Sequence, residues 1–471
     1  MTSPATVLWF RRDLRLRDHP ALLAAASDAR SQKGESQESG AQDGGSQDVL
    51  PLFVIDPAIW EPSGPVRRAY LLRALRALDA SLGGHLVVEH GDPVDVVAQV
   101  AARTSTRRVH VSADAGPYGR RRDEAVAAAL AQGDGELVRT GTPYAIGPGT
   151  ILNGSGKPFQ VFTPFSRVWA DRGWPAPAGS PAAVTWGGEG PGVDGPHWPA
   201  EPDLGELVLP EAGEDAARER WHDFLATGLT EYADERDRPD HAGTSQLSVS
   251  LKWGEVHPRT LLADLAQTPS RGAEVFRTEL AWREFYADVL WHRPDSAREY
   301  YRPQLAGLRY HRPGADFEAW AEGRTGFPVV DAGMRQLRAE GWMHNRLRMI
   351  VASFLVKDLH VEWRYGAREF LHWLRDGDLA SNNHGWQWVA GSGTDASPYF
   401  RIFNPVTQGQ KFDPQGDYVR RYVPELRHLP GKAVHTPWDA ADGYAHGYPQ
   451  RMVDHAHERV VALEDYQRVR G

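Results

Sequence analysis

The side chains best suited to chemistry begin on one predicted helix in the second half of the chain. Four of them share a helix face at spacings i, i+3, i+4 and i+7: Glu279, Trp282, Arg283 and Tyr286. An acid, an indole and a guanidinium on one face suit a polar pocket that holds an aromatic ligand. A solvated amphipathic edge has the same composition, so the spacing alone leaves both interpretations open.

A second dense group of polar side chains lies between Asp376 and Asn383, just before the indoles of Trp386 and Trp388. Buried polar groups persist where a partner satisfies them, and the ring nitrogens and carbonyls of a heteroaromatic ligand would do so. The two aspartates of this group could also suggest a metal site. The neighbouring arginines and the lack of a histidine-rich shell argue against a metal, and none is predicted.

Two further segments could bind an anion. Residues 243–248 place three hydroxyl groups after a glycine turn, where a helix start could hold a phosphate. An ordinary helix N-cap explains the same pattern and is the favoured interpretation. Residues 11–17 carry four arginines directly after a predicted strand. The carboxyl end of a parallel strand is where α/β folds bind ligands, and a solvated turn is an equal alternative.

Two kinds of structure must position these segments. Apolar runs at 5–10, 49–55, 85–89 and 108–112 predict buried strands, each followed by a helical pattern. Strands that alternate with helices predict an α/β domain with a doubly wound parallel sheet. After residue 216 the strands give way to long helical patterns, which predict an all-helical second domain.

Composition shifts along the chain predict the domain boundaries. We predict the α/β domain at 1–140, a Pro- and Gly-rich connector at 141–215, and the helical domain at 216–471. Residues 31–48 lack bulky apolar side chains and cannot offset their ordering entropy by burial. They are therefore predicted to be a disordered insertion in the first domain.

The overall composition excludes several classes of protein. The 471 residues contain no cysteine, which excludes disulfides and thiolate chemistry. The net charge of −9 excludes a globally basic nucleic-acid coat protein, although it permits a local basic groove. The sequence shows no signal peptide and no membrane-spanning run, so a soluble cytoplasmic protein is expected. The 17 tryptophans are a surplus for which packing is the simplest explanation.

Five segments resemble motifs of the photolyase/cryptochrome family in their order and spacing, and the match covers nearly the whole chain apart from residues 31–48. They read WFRRDLRLRDHPAL, GTSQLS, WREFY, GWMHNRLRM and DGDLASNNHGWQW. The resemblance implies an N-terminal antenna domain, a long connector and a C-terminal helical domain that binds FAD. Composition and periodicity indicate the same three parts.

The resemblance also implies which residues hold FAD. They are Tyr232, Thr244, Ser245, Leu247, Ser248, Glu279, Arg283, Asn345, Arg348, Asp376, Asp378 and Asn382. The hydroxyl segment is expected to hold the FAD phosphates, Arg348 is expected to pair with Asp376, and the amide of Asn382 is expected to face flavin N5.

Within the family, residues 342–349 resemble the class I enzymes that repair cyclobutane pyrimidine dimers. Enzymes for (6-4) lesions differ there by histidines that protonate the lesion. The implied activity is that of a carbon–carbon lyase, in which light drives electron transfer from reduced FAD to a flipped-out dimer. The implied contacts with the dimer and its DNA are Glu279, Trp282, Asn345, Arg346, Met349, Trp388 and Arg401. Lys411 is a further candidate for a phosphate contact, although a solvated charge is favoured there.

Two other members of the family remain as alternatives, a cryptochrome-type blue-light photoreceptor and a DASH-type photolyase of single-stranded DNA. Cryptochromes often carry C-terminal extensions, whereas the sequence ends at Gly471, soon after the helical domain. Glu279, Trp282 and Met349 also match the repair pattern. We therefore favour an enzyme that acts as a monomer on damaged DNA, away from membranes.

The antenna chromophore is expected to be 8-hydroxy-5-deazaflavin, with 5,10-methenyltetrahydrofolate or no chromophore as alternatives. The segment from Asp114 to Asp123 and the lysine of SLKWG resemble the deazaflavin-binding members. The resemblance implies contacts from Asp114 and Lys252. The acidic residue that such members carry near this site falls at Gly116, so one contact is missing.

Members of the family usually reduce FAD along a chain of three tryptophans. Trp386 and Trp363 match the first two, whereas the third aligns with Tyr310. Oxidation of tyrosine is coupled to loss of the phenolic proton. We therefore expect slower or more pH-sensitive photoreduction, with Trp320 as an alternative donor.

Overall fold

The computed structural model describes residues 6–38, 49–181, 184–187, 198–394 and 400–470. Most of the predicted disordered insertion, residues 39–48, lies outside the described residues. The predicted fold class, an α/β domain with a doubly wound parallel sheet followed by an all-helical domain, is confirmed.

The N-terminal domain is built on a five-stranded parallel sheet. Its strands are β1 (Thr6–Phe10), β2 (Val49–Ile55), β3 (Val87–His90), β4 (Arg108–Val111) and β5 (Glu136–Arg139), in the spatial order β3-β2-β1-β4-β5. Every residue of β1 and β2 is buried, because both strands are predominantly apolar and lie in the middle of the sheet. The sequence analysis did not predict β5, since this short edge strand buries a single residue, Leu137.

Five helices connect these strands. They are α1 (Pro20–Glu38), α2 (Pro57–Trp60), α3 (Pro65–Ser81), α4 (Pro93–Arg103) and α5 (Pro117–Ala131). A proline in the first turn starts each of α2 to α5, where its missing N–H has no helical partner to lose. The prediction of disorder is wrong for residues 31–38, because α1 continues to Glu38. A helix that is already nucleated gains one hydrogen bond for each residue added, and Gln, Lys and Glu favour this extension.

The order of the strands reverses at β1, which pairs with β2 on one side and with β4 on the other. In doubly wound sheets the ligand crevice lies at the carboxyl ends of the strands beside such a reversal. Residues 11–13 follow β1 at this edge, and residues 112–114 follow β4. The arginine run of the sequence therefore begins at the edge where a ligand is expected.

The rest of the chain is helical. Its helices are α6 (Phe162–Arg172), α7 (Glu214–Thr227), α8 (Tyr232–Glu235), α9 (Ser248–Trp253), α10 (Pro258–Gln267), α11 (Arg271–His292), α12 (Ala315–Ala321), α13 (Pro328–Glu340), α14 (Asn345–Lys357), α15 (Trp363–Trp373), α16 (Leu379–Ala390), α17 (Pro405–Phe412), α18 (Asp417–Tyr422) and α19 (His455–Arg470). Short 3-10 helices lie at Pro294–Ala297, Pro303–Gly307, Pro424–Leu426, Gly431–His435 and Pro437–Asp439. None of the helices in the described part of the chain is both long and apolar enough to cross a membrane.

The predicted connector is more ordered than a linker, because part of it belongs to the core of the helical half. Helix α6 packs against α11 and buries Phe165 and Trp169. The indole Nε1 of Trp169 donates to Oε2 of Glu284 on α11 at 2.7 Å. Glu284 also accepts the backbone N–H groups of Ala145 and Ile146. The aromatic residues of this Pro- and Gly-rich segment provide the burial that fixes it.

Helices α11, α14, α15 and α16 pack around a common space in the helical half. Helix α16 contacts the other three, α14 contacts α15, and α8 packs against α11. The long helix α11 starts at Ser270, whose hydroxyl accepts the N–H of Ala273 as an N-cap. This packing brings residues that are about 150 positions apart in the sequence to one cavity.

Candidate functional site

The space between these helices is a cavity of about 500 Å³, a size typical of a cofactor site. Residues of α8, α9, α11, α14, α15 and α16 line it. Of the residues predicted to hold FAD, the following line the cavity: Tyr232, Ser245, Leu247, Ser248, Glu279, Arg283, Asn345, Arg348, Asp376, Asp378 and Asn382. Thr244 is half-buried beside them and does not line it.

The expected pair between Arg348 and Asp376 is present in the wall of the cavity. Nη2 of Arg348 donates to Oδ2 of Asp376 at 2.8 Å, and its Nε donates to the carbonyl of Met343 at 2.8 Å. Burial alone would raise the pKa of Asp376, but Arg348, the hydroxyl of Ser248 and the charge of Arg375 together hold this pKa below its usual range. The site therefore keeps a fixed carboxylate and a fixed cation side by side.

The hydrogen bonds of Asn382 determine which atom of its side-chain amide is left for a ligand in the cavity. Its Nδ2 donates to the carbonyl of Ala367 at 3.1 Å and to Oδ1 of Asn383 at 2.8 Å. Both donor positions are therefore used within the protein, and the carbonyl oxygen of Asn382 is left for a ligand. An amide carbonyl is an acceptor for a ring N–H, which matches its expected place beside flavin N5.

Glu279 is paired with a cation that the sequence analysis missed. Nη1 of Arg236 lies 2.7 Å from Oε1 of Glu279. Burial raises the pKa of the Glu279 carboxyl, and the charge of Arg236 opposes that rise. In the same way, Asp237 pairs with Arg346 at 2.8 Å. A sequence signal existed for Arg236, since it lies four residues after Tyr232, another residue of the cavity wall.

Apolar side chains predicted to hold a pyrimidine dimer line the same cavity. They are Trp282, Met349 and Trp388. The indole of Trp282 stacks on Phe162 at 3.6 Å between ring centroids and 7° between planes, so that α6 fixes its orientation. Arg401 is exposed and lies outside the lining, with its guanidinium 5.4 Å from the centroid of Trp388.

The predicted electron carriers run from the cavity into the core. Trp386 lines the cavity, and a Cβ atom on Gly366 would lie 2.2 Å from its Cη2. The indole of Trp386 therefore packs directly on α15, one turn after Trp363. The buried ring of Trp363 meets Tyr300 edge-on at 6.2 Å. Trp320 also meets Trp386, at 6.1 Å between centroids.

Tyr310 is half-buried and packs against the main core of the helical domain. Burial raises the pKa of its phenol to about 12. The side chain is therefore neutral at every physiological pH, and its oxidation must release a proton to a neighbouring group.

The two predicted antenna residues, Asp114 and Lys252, do not line the same cavity. A second, smaller cavity at the carboxyl ends of β1 and β2 is lined by Trp9, Arg11, Phe53, Val54, Ile55, Asp56, Ile59, Trp60, Ser63, Arg67, Arg68, Leu71, Pro93, Arg122 and Trp253. Asp114 is adjacent, since its carboxylate lies 3.2 Å from Nη2 of Arg122. The structure places Lys252 in the wall of the larger cavity instead, while the next residue, Trp253, lines the smaller one.

Comparison with known proteins gives consistent matches along both domains. A family model described as DNA photolyase matches residues 6–182, and one described as the FAD binding domain of DNA photolyase matches residues 276–468. The chain is 40% identical over 480 residues to a deoxyribodipyrimidine photo-lyase of Streptomyces griseus, with 100% of this chain and 99% of the relative covered.

Solved structures extend the similarity to the fold. A class III photolyase from Agrobacterium tumefaciens is 36% identical with a TM-score of 0.88, covering 100% of this chain and 98% of the other. A Synechocystis cryptochrome is 25% identical with a TM-score of 0.87, covering 98% and 99%. The chain belongs to the DNA photolyase family, within the photolyase/cryptochrome group, as the sequence motifs predicted. Its second domain is an FAD-binding domain.

Proposed function

We propose that the protein is a light-driven lyase that splits cyclobutane pyrimidine dimers in DNA. The observation that carries this function is the coincidence of two residue sets in one cavity. The residues expected to hold FAD line it together with the apolar residues expected to hold a dimer, Trp282, Met349 and Trp388. A dimer seated there would lie beside the flavin.

The cavity suits FAD in its chemistry as well as its size. Cations on its wall, among them Arg283 and Arg348, match an anionic diphosphate, and the hydroxyls of Ser245 and Ser248 can donate to phosphate oxygens. When bound and reduced, FAD supplies the photoexcited electron that opens the cyclobutane ring. The carbonyl oxygen of Asn382 is available to accept a hydrogen bond from the ring.

Seating the dimer requires its removal from the duplex. Enzymes that act on bases within DNA, photolyases among them, extrude the target nucleotides into a pocket. Trp282 and Trp388 offer aromatic surfaces that replace the lost base stacking. Met349 adds an unbranched apolar contact in the same cavity. Because Phe162 covers one face of Trp282, the opposite face is the one available to the lesion.

The geometry supports cyclobutane dimers over (6-4) lesions. His344 is the histidine of the segment at 342–349, and its Nδ1 accepts the N–H of Arg346 as the N-cap of α14. Burial lowers the pKa of His344 to about 4, so that the ring is neutral at physiological pH. A neutral histidine engaged in a cap does not supply the acid that a (6-4) lesion needs.

Contacts with the DNA backbone are expected from a local basic rim. Arg346 lies at the cavity, and its guanidinium lies 4.3 Å from the centroid of Phe412. Lys411 lies on the same helix as Phe412, and Arg401 lies above Trp388. These cations can neutralise phosphates on either side of the lesion although the whole chain is acidic.

The smaller cavity is the site proposed for the antenna chromophore. Arg11, Arg67, Arg68 and Arg122 line it together with three indoles, a composition that suits a planar anionic ring. An 8-hydroxy-5-deazaflavin has this chemistry. Mass spectrometry of chromophores extracted from the purified protein identifies the occupant, and a folate in the extract would contradict the deazaflavin.

The function is tested by light-dependent loss of cyclobutane dimers from double-stranded and single-stranded DNA, with FAD fully reduced beforehand. Repair of the duplex is the expected result. Repair confined to single strands would indicate a DASH-type enzyme, and no repair of either substrate would indicate a photoreceptor of the cryptochrome type.

A further inference from the structure

We propose that Arg12, which belongs to the N-terminal sheet domain, is a positioning residue of the FAD site in the helical domain and acts through Asp378. This role rests on the proposed function in one respect, namely that the 500 Å³ cavity holds FAD. No motif of the helical half contains Arg12, which lies 366 positions before Asp378 in the sequence.

The contact is direct and crosses the domain boundary. Arg12 follows β1 at the edge of the sheet where the strand order reverses. Its Nη2 donates to Oδ2 of Asp378 at 2.6 Å, and its Nε donates to the backbone carbonyl of Lys252 at 3.3 Å. Asp378 and Lys252 both line the cavity, whereas Arg12 stands behind them. The guanidinium therefore supports two neighbouring points of the cavity wall.

The two carboxylate oxygens of Asp378 accept hydrogen bonds from different partners. Oδ1 accepts the N–H of Ser381 at 3.0 Å and caps the N-terminus of α16. Oδ2 is the oxygen that Arg12 binds. Helix α16 carries Asn382 and Trp386, both of which line the cavity. By fixing the cap, Arg12 fixes the start of the helix that presents these two side chains.

The cations around Asp378 come from three separate elements. Arg12, Lys252 and Arg283 face it from the β1–α1 loop, α9 and α11, with Tyr144 of the connector and His384 of α16 also close. Burial alone would raise the pKa of Asp378, but these cations hold it well below its usual range. Burial and the charge of Arg12 together lower the pKa of the Lys252 amine to about 7. Arg12 is the nearest of the cations on Asp378 and keeps it ionised.

The other three arginines of residues 11–17 bind different partners within the part of the chain that the structure describes. Arg11 binds Asp123 and the carbonyl of Ser112 inside the sheet domain. Arg15 donates to the carbonyl of Gly254 at 3.0 Å, and Arg17 pairs with Asp215 on the exposed surface. Arg17 therefore offers a matched control, since it belongs to the same run and carries the same charge.

The test follows retention of FAD by the holoprotein, read as the rise in flavin fluorescence on release, between about pH 4 and pH 8. The surrounding cations hold the pKa of Asp378 well below its usual range, so the wild-type carboxylate stays ionised throughout this pH range. Arg12→Gln should release FAD at least about tenfold faster at neutral pH, because removing one partner leaves a buried charge uncompensated. Without Arg12 the pKa of Asp378 should rise, so Arg12→Gln should lose FAD increasingly as the pH falls toward 4, whereas the wild type should not. Arg17→Gln should match the wild type in both measurements.

Asp378→Asn and the double variant that combines it with Arg12→Gln are measured in the same way. Without the carboxylate, this loss of FAD toward pH 4 should not occur, and adding Arg12→Gln should change release little, because the two residues act as a unit. If Arg12→Gln fails to fold, Arg12→Lys is used, which keeps the charge and loses the planar fork. Wild-type retention with no added loss of FAD toward pH 4 in the folded variant would overturn the role of Arg12. Absence of FAD from the wild type would instead overturn the proposed function.

Discussion

We expect the protonation of Glu279 to bear most directly on the proposed repair. Arg236 binds its Oε1, so Oε2 is the oxygen that would contact a carbonyl of the dimer. Burial raises the pKa of this carboxyl, which favours the protonated form that can donate a hydrogen bond. The residue is thus suited to stabilise the negative charge that the dimer gains with the electron.

Replacing Glu279 with Ala should lower the repair yield on the order of tenfold, because one hydrogen bond to a charged group is lost. Glu279→Gln should retain most of the yield, since the amide also donates. Repair per absorbed photon, measured with pre-reduced FAD, tests this. Glu274→Ala, on the exposed first turn of the same helix, is the control. Full repair by Glu279→Ala would indicate that another group stabilises the negative charge of the dimer.

We expect one of two routes for the electron that reaches Trp386, either along Tyr310 and Trp363 or through Trp320. Tyr310→Phe should slow photoreduction severalfold, because phenylalanine cannot serve as the final donor, and Trp320→Phe should leave the rate unchanged. Transient absorption of oxidised FAD measures both variants. Slower photoreduction in Trp320→Phe, with an unchanged rate in Tyr310→Phe, would indicate that the electron passes through Trp320. Repair with pre-reduced FAD should survive in each.

Several motifs predicted residues of the cavity wall because many of their side chains lie on single helices, where spacing fixes which ones share a face. They did not predict Arg236, Asp237 or Arg12. The ion pairs of these residues join partners that are distant in sequence, which no local pattern records. For Arg236, the spacing from Tyr232 was a signal only for its place in the cavity wall. Lys252 shows the same limit, since its motif did not tell which of two adjacent cavities its side chain lines.

Among the secondary-structure elements, the connector contains a helix, α6, that its Pro- and Gly-rich composition does not predict. A Pro- and Gly-rich segment predicts a linker, yet a few aromatic residues give α6 enough apolar surface to pack on α11. Glu284 joins the two parts by accepting three N–H groups from the connector. The strands were easier to predict, because β1 and β2 are continuous apolar runs that only a buried position explains.

Glu284 should make the stability of this junction depend on pH. Burial raises the pKa of its carboxyl to about 7 in the folded protein, from an ordinary value of 4.5. Between these two values the folded state binds more protons than the unfolded state. The contribution of Glu284 to the free energy of unfolding therefore falls as the pH rises through this window, by at most about 1.4 kcal/mol per pH unit.

Urea unfolding of the wild type and Glu284→Gln at a series of pH values tests this dependence. The glutamine variant should lose the pH-dependent component, and it should be less stable throughout because its amide faces the N–H groups that the carboxylate accepted. Asp264→Asn, at the acid that accepts the indole N–H of Trp221, is a comparable control. A parallel pH profile for Glu284→Gln would contradict the assignment.

At the scale of the whole molecule, a net charge of −9 has to be reconciled with DNA binding. Phosphate contacts act within about 10 Å in physiological salt, so the local rim decides binding and the distant acids are screened. Arg346→Gln and Arg401→Gln should each reduce the slope of log affinity against log salt by about one, if each releases one counterion.

Titration of dimer-containing duplex DNA at several salt concentrations measures these slopes. Arg107→Gln is the control, because Arg107 precedes β4 at the opposite edge of the sheet from the cavity. Unchanged slopes in both the Arg346→Gln and the Arg401→Gln variants would indicate that DNA binds to another surface of the protein.

The bridge between residues 12 and 378 also bears on how the protein is made. During synthesis the sheet domain leaves the ribosome long before α16, and closing a loop of 366 residues carries a large entropy cost. The contact must therefore form late, after most of the chain is available. The cofactor cavity therefore takes its final shape only when residue 12 of the sheet domain has met residue 378 of the helical domain.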